Sequence, residues 1–136
     1  MLFRSFLRGL FLVVLASMLA ITTWAGLQCP LFGVPRAVAT HPWFIATLFD
    51  TYWAFVAFFL WVCFKQAAWS ARVAWFIAIM LLGNIAMAVY CLRELFTVSA
   101  QEPLATVINR RREGSDPLGF ICALAGAAVI GWAALA

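Results

Sequence analysis

The strongest constraint on this chain is the length of its uncharged apolar runs. No residue from Gly9 to Gly26 is charged, the run from Trp43 to Phe64 is broken only by Asp50, and Pro117 to Ala136 again carries no charge. An α-helix rises about 1.5 Å per residue, so each run is long enough to cross roughly 30 Å of hydrocarbon. A soluble fold of this size could not hide so much apolar surface. The chain is 67% hydrophobic and 10% charged, where soluble domains are about 45–50% apolar. The solvent that suits it is a bilayer.

Read in order, the segments predict an all-α integral membrane bundle of four transmembrane helices forming a single membrane domain, residues 1–136. The first segment, at about residues 9–26, follows Arg4 and Arg8. It has the flanks of a signal peptide or a first anchor, and we read it as a retained helix. A link rich in turn residues (Pro30, Gly33, Pro35) leads to His41-Pro42, and a proline fits the first turn of a helix because its missing N–H costs nothing there. The second helix is expected at about residues 42–64. After a short polar turn at Lys65, Gln66 and Ser70 to Arg72, the third is expected at about residues 73–98, antiparallel to the second.

The one polar stretch, Ser99 to Asp116, carries Leu104, Val107 and Ile108 at helical spacing between Pro103 and Gly114. This predicts a short amphipathic interfacial helix at about residues 103–112, with Arg110, Arg111 and Arg112 turned to headgroups or a partner. A solvated loop with a basic end would carry the same residues. The fourth span, at about residues 117–136, presents Gly119, Ala123, Ala127 and Gly131 every four residues. Small residues at that period let helices approach closely, here against other chains.

Four spans would put Arg4, Arg8, Lys65 and Arg72 on the side of the N-terminus and Arg36, Arg93 and Arg110 to Arg112 on the other. With so even a split, the positive-inside rule favours neither orientation. The arginines flanking the first helix favour a cytoplasmic N-terminus, in a bacterial inner membrane.

Among residues able to carry chemistry, Asp50 stands out. It lies about 11 Å beyond Trp43 along the second helix, and a carboxylate at that depth is costly unless protonated, paired or hydrated. In an antiparallel hairpin Trp43 would lie level with about Phe96, and Asp50 with about Val89, close to Tyr90 and Arg93. Thr22, Thr23, Thr47 and Glu94 fall in the same half of the bundle. Such a cluster fits a ligand, proton or substrate site. It equally fits an Asp50–Arg93 ion pair that fastens helices together, with Tyr90 and the threonines completing its hydrogen bonds. Asn84 suits an interhelical hydrogen bond.

His41 is the only histidine, and the four cysteines (Cys29, Cys63, Cys91, Cys122) form no CxxC pair. No metal or cofactor ligand set is therefore expected. Cys29, Cys91 and Cys122 would share one side, where a disulfide could form if that side is oxidising. Although the net charge is +4, the basic residues form no stripe, so no nucleic-acid partner is expected.

The stretch His41 to Val98 also resembles an uncharacterised membrane family of plants and bacteria known as a domain of unknown function. The resemblance rests on Pro42, Trp43, Ala46, Thr47, Leu48, Asp50, Tyr52, Trp61, Val62, Lys65, Gln66 and Trp69. It departs from the pattern at Gln66, where the family more often has Glu, and it does not extend to the last helix. It implies membrane helices and draws attention to Asp50, but carries no activity.

Three functions fit these residues. The first is a non-catalytic accessory or assembly subunit of a larger membrane complex or homo-oligomer, joined through the small-residue face or the arginine cluster. The second is an enzyme acting on an isoprenoid or other lipid, with Asp50 as acid and Tyr52, Trp53 and Tyr90 stabilising cationic intermediates. The third is a small dimeric proton-coupled transporter. Known exporters of that size carry a carboxylate in the first span, and the first span here has none.

Overall fold

The computed structural model describes residues 2–135. In chain order it comprises α1 (Leu2–Gln28), a 3-10 turn (Leu31–Gly33), α2 (Arg36–Ala39), α3 (Pro42–Lys65), α4 (Trp69–Leu82), α5 (Asn84–Thr97), α6 (Ala105–Asn109) and α7 (Pro117–Leu135). Three helices, α1, α3 and α7, are long and apolar enough to cross a membrane. Prolines set two of the starts: Pro42 follows an extended His41, and Pro117 follows Asp116.

The expected third span does not exist as one helix. Gly83, at φ 53° and ψ −126°, ends α4 and opens α5, and the chain folds back on itself there. Trp75 of α4 meets Tyr90 of α5 with ring centroids 4.8 Å apart, although the two are fifteen residues apart in sequence. A continuous helix would separate them by about 22 Å. Each arm is 14 residues long, or about 21 Å, short of the roughly 30 Å hydrocarbon thickness. Only glycine takes this backbone readily, and a Cβ at position 83 would also sit 2.6 Å from Cζ of Phe55.

That contact gives the depth of the turn. Phe55 lies ten residues before the end of α3, so the hairpin tip reaches about 15 Å from the Lys65 end, near the middle of the span. Non-helical backbone at membrane depth is tolerated where protein buries it, and Gly83 is buried.

The remaining contacts orient the spans. Arg4 and Arg8 of α1 bond to carbonyls at the C-terminal end of α5, which runs antiparallel to α1. Gly119 and Gly126 of α7 abut Trp75 and Leu81 of α4, so α7 and α4 run parallel. The start of α1, the end of α3, both feet of the hairpin and the start of α7 therefore lie at one end of the molecule, here termed the basic end. The core packs Phe55, Val62, Trp75, Ile79, Ala86, Tyr90 and Cys122 in the half of the bundle nearest that end. Toward the other end the spans bury little, and residues 41–50 are exposed along with Trp24, Leu124 and Trp132.

Two further expectations change. The first helix starts at Leu2 and so includes Arg4 and Arg8, whose guanidiniums find helix-end carbonyls. The interfacial helix shrinks to the five residues of α6 because Arg110 turns extended. Of its expected apolar residues, Val107 and Leu104 pack against Leu95 and Val98, while Ile108 is exposed.

Candidate functional site

At the end of α3 the backbone leaves the helix at Gln66 and pairs with Arg112 in a single parallel bridge. Arg112 N–H donates to the Lys65 carbonyl at 2.7 Å, and Ala67 N–H donates to the Arg112 carbonyl at 2.9 Å. This short pairing holds Lys65, Gln66 and Arg112 beside the last turns of α5. Arg72 reinforces it by donating to the Gln66 carbonyl.

The result is a buried network around two carboxylates. Glu94, fully buried, accepts from Lys65 Nζ at 2.5 Å and Arg112 Nε at 2.7 Å, with Arg93 Nη2 at 3.0 Å. Lys65, likewise fully buried, also donates to the Val107 carbonyl, which explains the placement of α6. Arg112 donates in addition to Thr97 Oγ1 at 2.6 Å.

Asp116 accepts from Arg93 Nη1, from Trp75 Nε1 at 2.7 Å and from Gln66 Nε2 at 3.1 Å. It also caps α7, receiving the Gly119 N–H at 3.4 Å. Burial raises its pKa, but the donors from Arg93 and Trp75 and the Arg93 charge outweigh that, so the carboxyl lies below its ordinary value. Arg93 bridges the two carboxylates and lies over the rings of Tyr90 and Trp75, 4.6 and 5.1 Å from their centroids.

Chemically the cluster sets three cations, Lys65, Arg93 and Arg112, against two carboxylates, Glu94 and Asp116, and each charged group is held by at least one charged partner. Two polar atoms of the cluster, Gln66 Oε1 and Arg93 Nη2, are buried without a hydrogen bond, although the latter lies 3.0 Å from Glu94. Such an arrangement locks α3, α4, α5 and α7 together at the basic end and leaves neither carboxylate free to act as a base. Among the described residues no group of three or more His, Cys, Asp or Glu side chains could hold a metal.

The residues singled out from sequence are only partly brought together. Tyr90 and Arg93 join the network, whereas Asp50 does not. Asp50 lies exposed on α3, and the Arg93 expected beside it is engaged by Asp116 and Glu94. The reason is the Gly83 turn, which sends α5 back toward the Lys65 end of α3 and lifts Tyr90 and Arg93 away from the level of Asp50. Thr22 and Thr47 donate to carbonyls of their own helices, Met18 and Trp43, a local satisfaction common for helical threonine. Asn84 opens α5, exposed. His41 precedes α3, exposed and extended.

The small-residue stripe divides. Gly119 and Ala123 are buried against α4 within the chain, while Ala127 and Gly131 are exposed. Gly126, off the stripe, makes the close approach to Leu81. Of the arginine cluster, Arg110 is exposed, Arg111 lies 6.0 Å over the Phe64 ring, and Arg112 turns inward to Glu94. All four cysteines are free, with Cys29 exposed and Cys91 and Cys122 buried. Cys29 follows the far end of α1, opposite the end where α5 finishes and α7 starts, so the three do not share a side.

Sequence reasoning missed Lys65, Gln66, Trp75 and Asp116 as members of the network. Asp116-Pro117 carried a signal, since a capping side chain followed by proline marks a helix start. Nothing local marks Lys65 as a partner of Glu94.

Among the cavities that flank the bundle, two bear on the site. One, about 450 Å³ and wholly apolar, lies along α3 at Leu48, Phe49, Tyr52, Trp53 and Val56. The other, about 360 Å³, is partly polar and lies at the basic end between the start of α1 and the loop after α5.

Comparison with known families finds a match to the family described as "Protein of unknown function (DUF1475)", over residues 3–115. The matched region ends just before Asp116 and α7, so it holds Lys65, Arg93, Glu94 and Arg112 but not the carboxylate that binds Arg93 from the start of α7. No curated protein and no solved structure matches the chain.

Proposed function

Since the chain belongs to the DUF1475 family, which carries no assigned activity, we propose from geometry and chemistry that it is a non-catalytic assembly subunit of a larger membrane complex. The observation that carries this reading is Asp50. On a wheel of about 100° per residue, Asp50 lies roughly 130° from the direction in which Phe55, Phe58, Phe59 and Val62 face the core. It is about 12 Å along α3 from Pro42 and exposed. A carboxylate turned out of the fold at that depth is costly beside lipid. A cation or hydrogen-bond donor on a neighbouring chain offsets that cost.

The half of the bundle away from the basic end supports the same reading, since α1, α3 and α7 leave large apolar side chains such as Trp24, Trp43, Phe49 and Trp132 exposed there. The test is capture of the full chain from its native membrane in mild detergent, with the stoichiometry of companions measured by mass spectrometry. Partners in fixed ratio that are lost with Asp50→Ala, while the chain keeps its own thermal stability, support the proposal. A chain recovered alone, or companions indifferent to Asp50, overturn it. A fixed ratio of this chain to itself makes the complex a homo-oligomer.

The fold also sharpens the orientation we propose. With a hairpin in place of a full third span, every Lys and Arg except Arg36 falls at the basic end. The positive-inside rule then favours that end, with the N-terminus, in the cytoplasm. Cys29, exposed near the opposite end, should react with a membrane-impermeant maleimide added to intact cells. Labelling only after the membrane is opened would reverse the assignment.

One observation favours a second reading, a lipid or isoprenoid enzyme: the apolar cavity along Leu48, Phe49, Tyr52, Trp53 and Val56 suits a hydrocarbon chain. Against it, Asp50 lies about 130° round α3 from the centre of that lining. A bound isoprenoid recovered in stoichiometric amount would turn the balance.

A further inference from the structure

The second cavity points to a ligand of different chemistry. It is lined by Phe3, Arg4, Ser5, Arg8, Glu102 and Leu104. Its place in the chain is the entry of α1 into the apolar run, since Arg8 immediately precedes Gly9. That is the depth of lipid headgroups.

Its two arginines are held in an unusual way. Arg4, buried, donates only to backbone carbonyls: Nη1 to Val98 at 3.1 Å and to Ser99, and Nη2 to Glu102 at 2.8 Å. Arg8 donates from Nη2 to the Leu95 carbonyl at 2.8 Å and stacks over Phe96, 4.5 Å from its centroid. These bonds cap the C-terminal end of α5, where the orphan carbonyls and the helix dipole favour cations. Carbonyl dipoles orient a guanidinium but do not cancel its charge. Among the described residues neither arginine forms an ion pair, and Nε of Arg8 is buried without any hydrogen-bond partner. Two fixed positive charges therefore border the cavity, opposed only by the exposed Glu102 carboxylate.

We infer that this cavity binds a phosphate group, and that its occupant is the headgroup of an anionic phospholipid, with Arg4 and Arg8 facing the phosphate and Phe3 and Leu104 covering the glycerol end. Arginine is suited to phosphate by its planar array of donors. At about 360 Å³ the space lies within the range of small-ligand sites. Glu102 weakens the site and so provides a control. The inference rests on residues at the basic end and is independent of whether Asp50 has a partner.

The experiment compares the full chain reconstituted in vesicles of phosphatidylglycerol and phosphatidylcholine at equal mole fraction, with lipid retained after detergent extraction measured by native mass spectrometry. We expect one phosphatidylglycerol retained in preference to phosphatidylcholine. Arg8→Gln should weaken retention about fivefold, the attraction of one basic side chain near an anionic surface. Ser5→Trp, which fills the cavity and leaves both arginines in place, should also weaken it, and Glu102→Gln should strengthen it.

The last two variants keep the test decisive if Arg8→Gln loosens the contact between α1 and α5. In a parallel arm, inorganic phosphate at millimolar concentration is added to the detergent-solubilised chain. Stabilisation by phosphate with no preference between the lipids would make the occupant a soluble phosphate. Equal retention of both lipids with no response to phosphate overturns the site, as does a Glu102→Gln variant that retains less phosphatidylglycerol than the wild type.

Discussion

Replacing Glu94 by Gln tests whether the buried network holds the fold at the basic end. Lys65 and Glu94 are both fully buried, and their 2.5 Å contact is shared with Arg112 at 2.7 Å and Arg93 at 3.0 Å. With the carboxylate neutralised, Lys65 would keep only uncharged partners: the amide oxygen of the introduced glutamine, the Val107 carbonyl and the face of Trp61, 5.2 Å away. Breaking one side of a buried ion pair typically costs about 3–5 kcal/mol, because the remaining charge is left in low dielectric. For a chain of this size that corresponds to a fall in Tm of about 10 °C or more.

The assay is thermal unfolding in mild detergent, followed by reactivity of buried Cys91 and Cys122 with a maleimide. Both thiols lie in the core or beside the network, so they report its opening. The informative companion is the pair Lys65→Met with Glu94→Leu. If the penalty is that of an uncompensated charge, the double variant recovers the share due to fully buried Lys65, while partly exposed Arg112, which also loses its carboxylate, keeps a smaller share. A Glu94→Gln variant destabilised by less than about 1 kcal/mol would refute the reasoning, as would a double variant no better than the single.

Further outcomes follow from the geometry. Gly83→Ala should destabilise by about 1–3 kcal/mol from backbone strain alone, with more from the Phe55 ring. Phe55→Leu in that background should restore only the steric part, and an unaltered Tm would show that the turn accepts a side chain. Gly126→Leu should lower the Tm, because its Cβ would come within 2.8 Å of the Leu81 Cβ and overpacking costs about 1–3 kcal/mol. Gly131→Leu, with nothing within 4 Å of its added Cβ, should leave the Tm unchanged and weaken only co-purification. Because the folded pKa of Asp116 is lowered, its contribution is fully present above the unfolded value of about 3.9 and is lost as pH falls through the folded value. Asp116→Asn should therefore lower the Tm at pH 7, with the difference from wild type shrinking below about pH 4; a constant difference would contradict the assigned ionic role.

Hydropathy alone determined that the chain is helical, with runs long and apolar enough to cross a membrane, and it located α1, α3 and α7 to within a few residues, apart from the start of α1. Long uncharged runs admit little else, since the backbone polar groups must be satisfied within each helix. Prolines 42 and 117 marked two of the starts for the equally local reason that proline fits a first turn. Only the tertiary structure decided that the run from Trp69 to Thr97 reverses at Gly83. A glycine inside an apolar segment barely changes its hydropathy, and a helix continues through it or turns according to what packs around it, here the ring of Phe55. That single reversal decided the rest. It parted Asp50 from Arg93, brought Glu94 to Lys65 and gathered the basic residues at one end. Partnership between charges so far apart in sequence depends on how the helices cross, and no local pattern of residues carries that information.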